Sequence, residues 1–395
     1  MDNSGQIQNR NLWMDYLRTT ITIMVVAHHS FLSYTTFASF DSQAYIRSTH
    51  PIVDVQRWVG LDIAVNFNDI FIMSLMFFIG GLFLIRSLNK KGAGLFIRDR
   101  YFRLFVPFLI LGTFFMLIAY FPSYYVAYNK IDILHYLKDF FTTEGWPVGP
   151  PWFLWVLFIF NLLFALFHKQ YAFFGAKMES RLIIMKDRPF LLLLGLFTIT
   201  WLLYVPLAYR AGAGKWVGFG PFDFQLSRIL LYFGYFSAGI VIGKSDFNAG
   251  LFSRESRTVK LWWLWVFLAV AIFAILTIGS GFLGEFVERK TINEFTAWMI
   301  YYAIYALSCA LSSLAFITCF RRWVSAGSQW MNSLTDNAYL IYLVHYIFVV
   351  WTQFVLLKFS MPAFLKFMIT FILSFALSWL TGILLRKIKL FRLYI

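Results

Sequence analysis

The feature that most restricts the fold of this chain is a series of long stretches without any charged residue. A helix needs roughly 20 apolar residues to cross a bilayer. Two shorter stretches reach that length when their uncharged flanks are included, and the sequence therefore predicts an all-α fold with about ten transmembrane helices. The predicted spans are 19–40, 70–85, 104–129, 145–168, 189–209, 229–243, 261–284, 295–320, 337–357 and 367–385.

The composition excludes a soluble protein. Charged residues make up 13% of the 395 residues and hydrophobic residues 60%, whereas soluble proteins carry about 25% charged residues. A soluble surface so poor in charge would expose large apolar patches to water. We therefore predict a multi-pass protein of the cell inner (plasma) membrane, surrounded by membrane lipid, in which residues 1–395 form a single domain.

The distribution of positive charge predicts the orientation of the chain. If the N-terminus is cytoplasmic, the inner segments carry about twice as many Lys and Arg residues as the outer segments, an asymmetry that sets the topology of membrane proteins. The formal excess of +15 then lies on the inner face, and both termini are cytoplasmic. The same charge could also serve an anionic cytoplasmic ligand. Its position beside the membrane does not indicate a nucleic-acid partner.

The first predicted span has the highest density of ionisable residues: Asp15, Arg18, His28 and His29. Ionisable residues within a membrane suggest a functional site. Arg18 and His29 are eleven residues apart, close to three helical turns, so they share a face and lie about 16 Å apart along the axis. Asp15 lies near that face, and His28 points roughly 80° away. A polar stripe thus runs from the cytoplasmic mouth to His29 near the midplane. The plainer alternative is a core histidine with a snorkelling arginine.

A second cluster lies where the second cytoplasmic loop enters the third span. Arg98, Arg100 and Arg103 occur within six positions of each other, and the last two share a helical face. The planar guanidinium group suits phosphate because it binds two oxygens at once. Phosphate binding is therefore one interpretation, and the usual excess of positive charge on the inner side is the other.

Two further elements contain polar aromatic residues and a histidine. Trp152 begins the fourth span at its outer end, where tryptophan commonly serves as an interfacial anchor. Tyr342 and His345 share a face of the ninth span, and a structural histidine is the simpler interpretation there. The remaining histidines are scattered along the chain, so we expect no metal site.

In their order along the chain, these motifs resemble those of acyltransferase family three, a family of integral membrane acyltransferases, and within it the glucans biosynthesis protein C-like branch. The resemblance runs nearly end to end. One departure concerns residues 149–152, which read Gly-Pro-Pro-Trp here, whereas members of this branch often carry Gly-His-Leu-Trp. The resemblance rests on Asp15, Arg18, His29, the segment 77–81, Arg98, Arg100, Arg103, Leu104, Pro107, the segment 152–155 and the segment 341–345.

The resemblance implies transfer of an acyl group, commonly acetyl or succinyl, from cytoplasmic acyl-CoA to a hydroxyl of a carbohydrate or lipid-linked glycan. It implies catalytic roles for Arg18 and His29, and coenzyme A binding by the arginines at positions 98, 100 and 103. We expect His29 to act as general base and Asp15 to orient Arg18. We assign Trp152, Tyr342 and His345 to substrate binding. No metal is expected, and a homodimer is left open.

Two other classes of protein remain as alternatives. A transporter or flippase for lipid-linked sugars or small metabolites would account for ten helices and for the short, glycine-rich second and sixth spans. A non-catalytic membrane scaffold is less compatible with two histidines in an apolar helix. Because the ionisable residues concentrate in the first helix and at the inner face, the sequence favours the enzyme.

Overall fold

The computed structural model describes residues 11–245 and 247–389, and these residues are mainly helical. Short 3₁₀ turns occur at Tyr45–Arg47 and Leu226–Arg228, and π-helical segments at Tyr101–Phe105 and Pro107–Gly112. Two short antiparallel strands, β1 (Trp216–Val217) and β2 (Phe224–Gln225), form a hairpin. The helices are α1 Leu12–Leu32, α2 Val59–Gly81, α3 Leu84–Lys91, α4 Ala93–Arg100, α5 Thr113–Tyr128, α6 Ile133–Phe141, α7 Trp152–Leu166, α8 His168–Asp187, α9 Pro189–Ala211, α10 Ile229–Gly243, α11 Arg257–Lys260, α12 Trp262–Glu288, α13 Glu294–Trp323, α14 Gln329–Leu356 and α15 Ala363–Leu385.

The helices account for the predicted number of spans. Within the described residues, eight helical segments are long and apolar enough to cross a membrane, or nine if the bent pair α7–α8 is one span. Helix α1 is outside this set because its four ionisable residues lower its hydropathy. It nevertheless packs against α2, α13, α14 and α15. With α1 as the tenth span, the prediction of an all-α polytopic membrane protein is confirmed.

The first span lies closer to the N-terminus than predicted. Helix α1 covers Leu12–Leu32 rather than 19–40, because its charged inner end faces a cavity and does not have to lie outside the membrane. After Leu32 the chain leaves the helix and pairs with itself, since Ser33 and Tyr34 accept backbone hydrogen bonds from residues 54 and 58. The buried ion pair of Asp54 and Lys366, 2.6 Å apart, fastens this loop to α15.

Helix α14 runs beside α1 in a fixed register. The Tyr16 hydroxyl donates to Asn332 over 2.7 Å, and Thr19 donates to Thr335 over 2.9 Å; both pairs are 316 residues apart in sequence. These side-chain bonds satisfy polar groups between helices, as a membrane interior requires. The same register brings His29 level with the corresponding residue of α14.

The fourth span is shorter than the predicted 145–168. Helix α7 begins at Trp152, directly after two prolines, whose nitrogens cannot donate the backbone hydrogen bonds of a helix interior. It ends at Leu166, and the chain then bends by 80° into α8. The bend coincides with the start of a charged sequence at His168 and Lys169, which belongs to the polar edge of the membrane rather than to its interior.

The glycine-rich ends of the second and sixth spans serve helix packing. Helices α2 and α10 lie against each other. A Cβ atom added at Gly81 would overlap the carbonyl oxygen of Phe236, and one added at Gly239 would overlap that of Phe78. Only glycine permits this approach of two backbones, as in other membrane helix pairs. These glycines therefore allow the close packing of α2 against α10.

Candidate active site

Two cavities enter the helical body from opposite ends. The inner cavity, on the side that the charge distribution assigns to the cytoplasm, has a volume of about 460 Å³. The outer cavity has a volume of about 590 Å³ and lies below the β1–β2 hairpin. The ionisable residues that line the inner cavity are Asp15, Arg18, Arg100, Arg103, Asp336 and Arg386. Those that line the outer cavity include His28, His29, Arg47, His50, Asp69, Glu144 and Asp223.

The inner cavity carries an excess of positive charge in its lining. Four arginines and two aspartates line it. The side chain of Arg18 donates to Asp15 over 3.4 Å. The guanidinium group of Arg100 lies over the ring of Phe96, 5.1 Å from its centroid, which holds the group at the wall. Arg98 is exposed and is not part of the lining. Sequence reasoning missed Arg386, which follows the last helix.

Both histidines of α1 face the outer cavity. The ring centroids of His28 and His29 are 5.4 Å apart and the rings are perpendicular. His28 was expected to point away from the polar face, but the cavity is wide enough to reach both rings. Behind His29 lie Tyr346, with a centroid distance of 5.1 Å, and His345, at 5.4 Å. The arrangement thus gives His29 one side toward the cavity and one side toward α14.

A thin partition separates the two cavities. The described residues that line one cavity do not line the other. On α14 the lining changes from Tyr342 to Tyr346, and on α7 from Phe153 to the adjacent Trp152, so the barrier is at most about one helical turn thick, or roughly 6 Å. The Tyr342 hydroxyl donates to the carbonyl oxygen of Pro150 within this partition. Arg18 and His29 therefore lie on opposite sides of it.

The three predicted substrate-binding residues occupy different places. Trp152 lines the outer cavity, where its ring lies 5.6 Å from that of Trp216. Tyr342 lines the inner cavity and closes it. His345 is fully buried and is not among the residues that line either cavity. Its position therefore gives a substrate no direct contact with it in this conformation.

An intramembrane ion pair was missed by sequence reasoning. Arg228 donates to Asp69 over 2.8 Å and to its backbone carbonyl over 2.9 Å, with a second contact between the two charged groups. The arginine is 5% exposed and lies near the rings of Tyr204 and Tyr305. The predicted spans 70–85 and 229–243 begin directly after Asp69 and Arg228. The signal was available, because both spans reach spanning length only with the residues that flank them, and Asp69 and Arg228 are the first residues of those flanks.

His50 also joins the site from a loop. It is 1% exposed, and its Nε2 lies 2.7 Å from the side-chain oxygen of Gln353. Gln353 in turn donates to the backbone carbonyl of His29 over 3.2 Å. Burial lowers the pKa of His50 to about 4, so the ring is neutral at physiological pH. A histidine in a loop gives no periodic signal, and the sequence could not place it.

The described residues offer no site for a resident metal ion. Across 11–245 and 247–389, no group of three or more His, Cys, Asp or Glu side chains has an arrangement that could hold one.

The fold and the paired cavities define a multi-pass membrane protein with a cationic site open to one side and a histidine site open to the other. The family described as Acyltransferase domain matches residues 11–383. The chain therefore belongs to acyltransferase family three and is a membrane acyltransferase. No curated protein and no solved structure matches it significantly.

Proposed function

We propose that the protein transfers an acyl group, acetyl or succinyl, from cytoplasmic acyl-CoA to a hydroxyl of a cell-envelope or secreted carbohydrate, in the inner (plasma) membrane. One observation carries the proposal: helix α1 presents Arg18 to the inner cavity and His29 to the outer cavity. A donor held from below and an acceptor held from above thus approach the same helix.

The inner cavity suits the donor because coenzyme A carries its negative charge at one end and its thioester at the other. Arg100, Arg103 and Arg386 stand where the phosphates would enter, and arginine binds phosphate oxygens in pairs. The narrow pantetheine arm would then run past Arg18 toward Tyr342. Arg98 lies outside the cavity, so we assign it at most a contact with the nucleotide end.

The outer cavity suits a neutral sugar. Trp152, Trp216 and Tyr232 supply aromatic surface, and Asp223 and Glu144 supply hydrogen-bond acceptors for hydroxyl groups. Burial raises the pKa of both carboxyl groups. The resemblance to the glucans biosynthesis protein C-like branch makes a glucan the first acceptor to test. Pro150 and Pro151 replace the histidine–leucine pair of that branch, so acceptor binding here depends on other residues.

The reaction needs one proton acceptor. The neutral imidazole of His29 takes the proton of the acceptor hydroxyl while its oxygen attacks the thioester carbonyl carbon. The carbon–sulfur bond then breaks, and the coenzyme A sulfur leaves with the proton that His29 releases. Because the inner cavity ends at Tyr342, the thioester reaches His29 only when the contact between Tyr342 and Pro150 opens.

The test is acyl transfer by the purified protein in lipid nanodiscs. Released coenzyme A is measured with a thiol reagent, and acylated glucan is measured by mass spectrometry. We expect release that depends on the acceptor, with loss of activity in His29→Ala. His168→Ala is the matched control, because this histidine lies at the start of α8, outside both cavities.

The donor site is tested in the same preparation. Arg100→Glu should raise the KM for acyl-CoA with a smaller effect on the KM for the acceptor. Equal activity of His29→Ala and the parent protein would refute the role of His29. Movement of an unmodified sugar across the bilayer without release of coenzyme A would instead identify a transporter.

A further inference from the structure

The orientation of the His29 ring leaves one of its nitrogens without a partner. His29 lines the outer cavity, but its Nδ1 is sealed from solvent and makes no hydrogen bond. A neutral imidazole carries its proton on one nitrogen and a lone pair on the other. If His29 is the base of the proposed function, the lone pair belongs on Nε2 and the proton on Nδ1. That buried N–H group then requires an acceptor.

His345 can provide this acceptor, because the tautomer of its ring is fixed. Its Nδ1 lies 2.7 Å from the backbone carbonyl oxygen of Tyr342. A carbonyl oxygen only accepts, so Nδ1 of His345 must carry the proton and Nε2 must carry the lone pair. This Nε2 is also sealed and makes no hydrogen bond. Two adjacent rings therefore present a buried donor and a buried acceptor that complement each other.

The two rings lie close together, although their nitrogens do not form a hydrogen bond in this structure. Their centroids are 5.4 Å apart and their planes are tilted by 36°. For an N–H···N bond of about 3 Å the centroids of two imidazoles lie roughly 5.3 Å apart. The register of α1 and α14 enforces this proximity, because the pairs Tyr16–Asn332 and Thr19–Thr335 fix the two helices lower down.

We propose that His345 is a positioning residue: when the two rings turn toward each other, its Nε2 accepts a hydrogen bond from Nδ1–H of His29. This inference rests on the proposed function of His29. The bond fixes the tautomer in which Nε2 of His29 faces the acceptor hydroxyl with its lone pair. When Nε2 takes the proton, the resulting imidazolium keeps its Nδ1–H on His345 until the proton passes to the leaving sulfur. The carbonyl of Tyr342 therefore sets the proton arrangement of both rings.

A pair of substitutions separates this role from simple packing. His345→Gln places its side-chain oxygen near the position of Nε2 and keeps an acceptor for His29. His345→Asn keeps a donor for the Tyr342 carbonyl but is too short to reach His29. We expect His345→Gln to retain kcat within about tenfold, and His345→Asn to lose about 10²-fold or more. Neither should change the KM for acyl-CoA. A packing role would make the two variants equal or reverse their order.

A second measurement does not depend on turnover. In protein labelled with ¹⁵N-histidine, the ¹⁵N shifts of His29 report which nitrogen is protonated. We expect the Nδ1–H tautomer in the parent protein and in His345→Gln, and a mixture or the Nε2–H form in His345→Asn. His50→Asn serves as the control variant, because the Nδ1 of His50 is also buried in this region without a hydrogen-bond partner. This variant should leave the tautomer of His29 unchanged.

The outcomes separate the two proposals. An Nε2–H tautomer of His29 in the parent protein, or a tautomer that follows His50 instead of His345, would overturn the positioning role. Acyl transfer that persists in His29→Ala would overturn the proposed base even if the tautomer is as expected. A variant that fails to fold is recognised by its thermal melting, and the ¹⁵N shifts of the parent protein then still decide the question.

Discussion

At the scale of single residues, the two neighbouring histidines of α1 should differ in their effect on catalysis. His29 has His345 behind it, whereas the ring contact found for His28 is with His29 itself. We expect His29→Ala to lower kcat by about 10²–10⁴-fold, the usual contribution of a general base. His28→Ala should lower it less. Steady-state kinetics with glucan acceptor checks the ranking, and the opposite ranking would assign the base to His28.

His50 predicts a dependence of stability on pH. Its pKa is about 4 in the folded protein, because of burial, against an ordinary value of 6.5. The unfolded chain therefore binds the proton first as the pH falls. Above about pH 6.5, His50 is mainly neutral in both states and does not change the free energy of unfolding. As the pH falls toward 4, protonation of the unfolded chain lowers the free energy of unfolding by about 3 kcal/mol. Thermal melting between pH 7.5 and 4.5 measures this decrease.

The matched variant for this prediction is His50→Gln, which cannot titrate in this range. It should show a smaller decrease in melting temperature between pH 7.5 and 4.5 than the parent protein. The difference between the two curves isolates His50 from the other histidines. Parallel curves would mean that His50 does not contribute to the pH dependence.

Helical spacing was sufficient to place Arg18 and His29 on one face, because both lie on a single element of known pitch. It could not place His50, Asp69 or Arg228, since each depends on the packing of separate segments. The spacing also predicted that His28 points away from the face of His29. In the structure both rings line the outer cavity, because the cavity is wide enough to reach both. Contacts between elements were therefore the part of the site that sequence reasoning could not supply.

At the scale of helices, ten spans could be counted from the sequence because the bilayer imposes a minimum apolar length. Their ends could not be placed equally well. Helix α1 starts earlier than expected, at Leu12, because its polar inner end faces a cavity. Helix α7 starts only at Trp152 and is followed by an 80° bend. In both cases the position of the helix end depends on neighbouring helices and on cavities. The length of an apolar stretch gives no information about either.

The contact between α2 and α10 should be sensitive to any side chain at its glycines. Gly239→Ala places a Cβ against the backbone carbonyl of Phe78, and a backbone atom can move only if a helix moves. We expect a loss of about 1–3 kcal/mol, as for other overpacked sites, seen as a lower melting temperature. Gly195→Ala in α9 is the control, because a Cβ there meets no atom within 4 Å. Equal melting of the two variants would show that α2 and α10 separate easily.

At the scale of the whole molecule, two cavities that open to opposite sides meet at a partition at most about one helical turn thick. In the proposed function, this arrangement lets a donor and an acceptor approach the same helix from opposite sides. Tyr342 is the residue of the inner cavity whose hydroxyl reaches across, to the carbonyl of Pro150. In the proposed transfer, opening of the partition is a step, and its frequency should depend on this hydrogen bond.

Tyr342→Phe removes the bond and leaves the ring in place. A hydrogen bond of this kind contributes about 1 kcal/mol, so the open state should become about fivefold more populated. Water from the outer cavity would then reach the thioester more often, and release of coenzyme A without an acceptor should increase by up to that factor. Tyr339→Phe is the matched control, because its hydroxyl donates to the Arg103 carbonyl, away from the partition. If acceptor-free release is the same in both variants and the parent protein, the hydrogen bond of Tyr342 does not control access between the cavities.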